Sequence, residues 1–218
     1  MFAKFKKVML VFCSGVLVLT AAGCNGSADP VESTGASPTA ASTASSSPPS
    51  ASPSPTAKPT PTPVPGSSKG PAKNWPIPKM PDAAKERTEE GIISFTEHWF
   101  DVLEYMYFTN NTRPLKEITL PACDLCARKI IDPADGLAKN GAWSVGGKIK
   151  ATVTLAVLDS KNSAVTNFRM EQEELLVYSK NGDFYGKLPG TKKPDAGTLV
   201  LEYDKGWQVV DLQWLDAK

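Results

Sequence analysis

Histidine is almost missing from this chain: its 218 residues hold one, His98. That excludes metal centres and proton relays built from several imidazoles. An excess of one charge is missing too, with 24 Lys and Arg against 23 Asp and Glu, a net of +1. Six of those lysines, with Asp29 and Glu32, precede residue 74, so residues 74–218 carry a net charge of −3. A mildly acidic, mixed surface lacks the electrostatic footprint of a nucleic-acid binder, and none is expected as a partner. After Leu19 no apolar run is long enough to cross a bilayer. Cysteine is scarce, with four in all, two of them within the first 24 residues.

Those first residues do carry a signal. Lys4, Lys6 and Lys7 precede an apolar run from Val8 to Leu19, and small residues lead to Cys24. This is the layout of a secretory signal peptide, too short for a comfortable span. Ala21-Ala22-Gly23-Cys24 resembles a bacterial lipobox, with Ala21 where leucine is commonest. The resemblance implies removal of residues 1–23 and diacylation of Cys24. Two acyl chains, at ~0.8 kcal/mol per buried methylene, would anchor the chain to the outer surface of the membrane. An extracytoplasmic, lipid-anchored location is therefore expected, with the membrane and cell-wall or envelope components as partners.

Residues 24–73 are rich in Ser, Thr, Pro, Ala and Gly and poor in apolar bulk. Such a segment cannot offset its ordering entropy, and the reading is a disordered tether. About 50 residues average roughly 40 Å end to end and reach about 150 Å when extended.

Residues 74–218 suit one domain. Ile92, Phe95, Trp99, Val102 and Met106 recur at helical steps, and Ile93, Phe100 and Tyr107 make a second stripe beside them. The spacing predicts a long first helix capped by Asp82, with Glu86, Glu89 and Glu90 in its early turns. A short helix from Thr112 to Ile118, a third through Cys123-Asp124-Leu125-Cys126, and a new start at Asp132-Pro133 follow. After Trp143 the period becomes two. Ile149, Ala151, Val153, Leu155 and Val157 share one face of a strand; residues 164–180 read as a second long strand and 185–197 as a loop. A closing hairpin turns at Asp204-Lys205-Gly206. Helices first and antiparallel strands afterwards argue an α+β domain with helices on one face of a curved sheet.

That order, with an aromatic helix over residues 93–119 and the terminal run Gly206-Trp207-Gln208-Val209, resembles the nuclear transport factor 2-like cone fold. Residues 74–100, Thr112–Thr119 and the cysteine pair are similar to a family of actinobacterial lipoproteins of unknown function. The resemblance implies a fold and a compartment, and no activity.

Candidate sites are few. Enzymes of the cone superfamily place His, Asp and Tyr in the cone, which makes His98, Asp101 and Tyr105 a candidate catalytic set for an isomerase or dehydratase. The three lie beside the apolar stripe, so a helix-edge or solvent position is the simpler expectation. Glu171, Glu173 and Glu174 sit in a charged stretch, with only Glu174 on the face of Phe168 and Met170. Trp99, Phe100, Tyr105, Phe168, Tyr178, Trp207 and Trp214 are candidate pocket walls, against the plainer role of filling the core. Cys123 and Cys126 admit three readings. A zinc site lacks ligands, and a thioredoxin-like pair lacks its strand and parallel sheet. A structural disulfide suits an oxidising exterior and is the expectation, with a thiol oxidoreductase as the alternative. No metal or cofactor is expected, and no oligomeric state is assigned. The leading expectation is a non-catalytic ligand-binding or scaffold domain on a tether.

Overall fold

The computed structural model describes residues 61–160 and 162–215. The expected signal segment, Cys24 and most of the expected tether lie outside them. The longest helix among the described residues, α1, runs Glu89–Thr109, and its cap is Thr88, whose Oγ1 accepts from the Gly91 amide at 3.0 Å. Asp82 instead precedes a separate 3₁₀ turn, Ala83–Lys85. The chain turns between them because Glu86 is extended and its carbonyl is taken by the Trp207 indole at 2.9 Å. Ile92, Phe95, Trp99, Val102 and Met106 are all buried, as their spacing predicts.

After the short helix α2, Arg113–Glu117, residues 118–120 run parallel to the last strand and cover its edge. A π-helical turn, Cys126–Ile131, then passes without a break into α3, Asp132–Lys139. The wider turn relieves the clash that Pro133 would make in a regular helix, so Asp132-Pro133 does not begin a separate one.

The strands are β1 Trp143–Gly146, β2 Ile149–Ser160, β3 Ser163–Gln172, β4 Leu175–Tyr178, β5 Phe184–Leu188, β6 Asp195–Tyr203 and β7 Trp207–Leu215. They form two antiparallel sheets, β2-β3-β6-β7 and β1-β4-β5. The sheets are two halves of one bent ribbon. Ile149 faces Gln172 in the first and Gly146 faces Leu175 in the second, so the register is the same on both sides. The bend falls where Gly146 and Gly147 both take positive φ, 81° and 79°. A side chain at 146 would also meet the Glu174 carbonyl at 2.5 Å. The predicted long strand 164–180 is thus broken at Glu173-Glu174, and its end pairs in the other sheet. The predicted loop 185–197 contains most of β5 and the start of β6, pairing that its Gly, Pro and Lys content conceals.

A β-bulge between Val153 and Leu155 corrects the expected face of β2. Past it the inward phase passes to Ala156 and Leu158, leaving Leu155 and Val157 half-exposed, at 52% and 45%. Helix α1 crosses the four-stranded sheet, pinned by a Thr96–Thr166 hydroxyl pair at 2.9 Å and by the Trp99 indole donating to Thr119 Oγ1 at 2.9 Å. The protein is therefore α+β, with antiparallel sheets and a helix packed on them.

The described chain makes ordered contacts before residue 74. Val64 and Lys73 exchange backbone hydrogen bonds at 2.8 and 2.9 Å, and the Trp143 indole donates to the Ser67 carbonyl at 2.8 Å. Backbone groups make these contacts, so the composition of 61–73 gives no sign of them.

Candidate functional site

The bend leaves a cavity of about 240 Å³ between α1, the π turn and the inner face of the large sheet. Trp99, Leu103 and Tyr107 supply one wall, spaced by four residues along α1. Leu125, Lys129 and Ile130 come from the π turn and the residue before it. Met170 and Gln172 of β3, Asp195 of β6 and Trp214 of β7 form the sheet wall. Leu188, Pro189 and Thr191 close the side beside the bend.

Two polar groups distinguish this cavity from an unfilled gap. Gln172 is 9% exposed, and its side-chain Nε2 is buried without a hydrogen-bond partner. Its backbone is fully engaged, with the amide on Thr191 Oγ1 at 3.0 Å and the carbonyl on the Thr191 amide at 2.9 Å. Alternation from Phe168 and Met170 turns the Gln172 side chain inward. An unpaired buried amide costs roughly 1–3 kcal/mol, so it is a site that a ligand can repay. The second group is the Tyr107 phenol. Burial pushes its pKa up to about 12, which keeps it protonated as a donor.

The aromatic candidates divide. Trp99 and Trp214 line the cavity. Phe100 and Phe168 pack behind them, with ring centroids 4.7 Å apart, and Phe168 lies 5.5 Å from Trp214. Trp207 is buried at the far end against Glu86. Tyr178 belongs to the small sheet, stacked on Trp143 at 5.9 Å. Tyr105 is on the other side of α1, its hydroxyl accepting from Asn111 Nδ2 at 3.1 Å.

His98 and Tyr105 are both buried, which corrects the expected edge position; Asp101 is exposed. The reason is that the 3₁₀ turn, β1 and α2 also pack on α1, so its buried face wraps beyond the sheet-facing stripe. Burial holds His98 below its ordinary pKa against the opposing charge of Asp101, and its Nδ1 has no partner. Burial likewise raises Asp101. Nine residues separate His98 from Tyr107, or two and a half helical turns, so the two side chains leave opposite sides of α1. His98, Asp101 and Tyr105 therefore share a flank of the helix, and none of them lines the cavity.

The charged stretch resolves differently from the expectation. Glu174 has left the inner face and pairs with Lys187 at 2.6 Å. Gln172 takes the inward position instead, because β3 ends there.

Cys123 and Cys126 are bonded, with Cα atoms 5.2 Å apart, and both are fully buried. The bond closes the entry to the π turn, where the Ala127 amide donates to the Cys123 carbonyl at 2.9 Å. No surface of either sulfur side chain is open to an attacking thiolate in this conformation. Among the described residues no group of three His, Cys, Asp or Glu is placed to hold a metal ion.

Residues 61–213 match the model of a family of unknown function, DUF6318. The chain belongs to this family. The match starts in the segment that Trp143 fastens to the domain, well before residue 74. No curated protein matches this DUF6318 chain. Among solved structures it is similar to the intermembrane space region of the chloroplast protein ARC6, with 10% sequence identity and a TM-score of 0.42. That likeness covers 60% of this chain and 98% of the other. No helix among the described residues of the DUF6318 chain is long and apolar enough to cross a membrane.

Sequence reasoning missed Tyr107, Gln172 and the π turn as site elements. Tyr107 was legible in the second apolar stripe, and Gln172 in the alternation that continues from Met170. The turn's contribution was not legible, since it depends on how Pro133 is accommodated.

Proposed function

We propose that this DUF6318 chain is a lipid-anchored envelope protein whose cone-like domain binds a small apolar ligand without catalysing a reaction. The observation that carries the reading is the unpaired Gln172 amide in a cavity walled by Trp99, Leu103, Met170 and Trp214. Ligand sites are concave and mostly apolar, with a few convergent polar groups, and this cavity has that composition. At about 240 Å³ it suits a small molecule or one end of a larger one. The signal segment, the lipobox-like Ala21–Cys24 and the proline-rich tether support a domain held outside the membrane at a distance. The cone-like reading draws on the bent ribbon and on the order of elements. Burial of both cysteines and the separation of His98 from the cavity weigh against the oxidoreductase and isomerase alternatives.

The test uses the two cavity tryptophans as reporters. Titration with small lipids and cell-wall fragments is expected to change tryptophan emission and raise the melting temperature, both saturably. The mature chain is expected to carry the mass of a diacylglyceryl group on Cys24. Absence of any response across both compound classes would remove the binding reading, and a free Cys24 thiol would remove the anchor.

A further inference from the structure

We infer that the cavity selects a neutral carbonyl-bearing molecule, with its oxygen taken by the Gln172 amide and its hydrocarbon part held between Trp99 and Trp214. This rests on the reading of the cavity as a ligand site and adds the class of ligand. Gln172 Nε2 is a donor without an acceptor, on a side chain nine-tenths buried. Tyr107 lines the same cavity, and its phenol stays protonated at any physiological pH. Both groups can donate, and the unpaired Gln172 Nε2 is satisfied by a ligand that brings an acceptor.

Charge narrows the class. The lining holds one cation, Lys129, and one anion, Asp195, so its formal charges cancel. Lys129 is exposed and belongs to the rim. A carboxylate carried to Gln172 would lose its water without gaining a buried cation, which is costly. A ketone, ester or amide oxygen loses far less and still satisfies the donor. A pure hydrocarbon fills the space and leaves the amide unpaired. A site built to hydrogen-bond one group rejects the analogue that lacks it.

Three probes of similar size separate these cases: propiophenone, propylbenzene and hydrocinnamate. Each is titrated into the full chain, followed by tryptophan emission and by the NMR shift of the Gln172 side-chain amide. Propiophenone is expected to bind roughly tenfold tighter than propylbenzene and to move the Gln172 amide resonance. Hydrocinnamate is expected to bind more weakly than the ketone. In Gln172→Met, which keeps the length and the apolar stem, the preference for the ketone should vanish while propylbenzene still binds. Should that variant fail to fold, the comparison of probes on the native chain and the Gln172 resonance still decide the matter. Equal binding of ketone and hydrocarbon, or tightest binding of the carboxylate, overturns the ligand class and leaves the cavity as a binding site. No binding of any probe, with the Gln172 resonance unmoved, overturns both readings.

Discussion

His98 is a neutral imidazole kept in the interior at an energetic cost. It is 5% exposed, Nδ1 has no partner, and burial lowers its pKa despite the pull of Asp101. An unfolded histidine takes up its proton near pH 6.5. Between that pH and the lower folded value, the unfolded chain binds more protons than the folded one. Stability therefore falls as pH drops below about 6.5, and the loss is complete once pH passes the folded pKa. Asp101 and Glu104 act in the opposite sense at more acid pH. Their carboxyls are raised chiefly by burial, so the stability that their protonated forms contribute is lost as pH rises through their folded values. Urea midpoints at pH 7.5 and 5.5 should differ more in the native chain than in His98→Leu, whose profile across that range should be flatter. An equal slope in both would mean that His98 is solvated and paired. The lone histidine was easy to find in the sequence. Its burial was not, because Gly91, His98 and Tyr105 form a seven-residue row that is buried by the 3₁₀ turn, β1 and α2 rather than by the sheet. One apolar stripe reports one partner surface, and this helix has several.

At the level of elements, the ones with local signals were legible. The buried stripe of α1, the short α2 with its early proline and the hairpin at Asp204-Lys205-Gly206 all follow from periodicity and turn chemistry. The elements that were misread depend on distant partners. The break at Glu173-Glu174 arises because Gly146 and Gly147 bend the strand opposite, and β5 exists because β4 is there to pair with it. The π turn follows the same logic, and its fixing bond yields a test. Cys123 and Cys126 enclose only two residues, so the bond constrains the unfolded chain by ~2 kcal/mol. Cys123→Ser with Cys126→Ser should lower the melting temperature by several degrees and keep the antiparallel sheets. Because both sulfurs are buried, alkylation of the native chain in reductant should proceed at the rate of local or global opening. Rapid labelling under native conditions would show an accessible pair and revive the redox alternative. The same variant should weaken probe binding, since Leu125, Lys129 and Ile130 reach the cavity from this turn.

On the scale of the whole molecule, the question is where the folded domain begins and the expected tether would end. Composition puts the change at residue 73, because Ser, Thr and Pro dominate up to that point. The family match and the contacts put it near residue 61. Val64 pairs with Lys73, Ser67 with Gly70, and the Ser67 carbonyl takes the Trp143 indole proton. Trp143 opens β1, the edge of the small sheet, so this segment fastens the sheet at the end away from the cavity. Trp143 is 7% exposed with this segment in place, so removing the segment takes away both its acceptor and part of its cover. A chain starting at residue 61 should therefore melt at the same temperature as one starting at residue 25. A chain starting at residue 74 should be less stable by about 1–3 kcal/mol, from the lost hydrogen bond and the apolar surface uncovered. Trp143→Phe in the longer form should reproduce part of that loss, because it removes the donor to the Ser67 carbonyl. Equal stability of the 61 and 74 forms would return residues 61–73 to the tether and place the start of the folded domain where composition puts it.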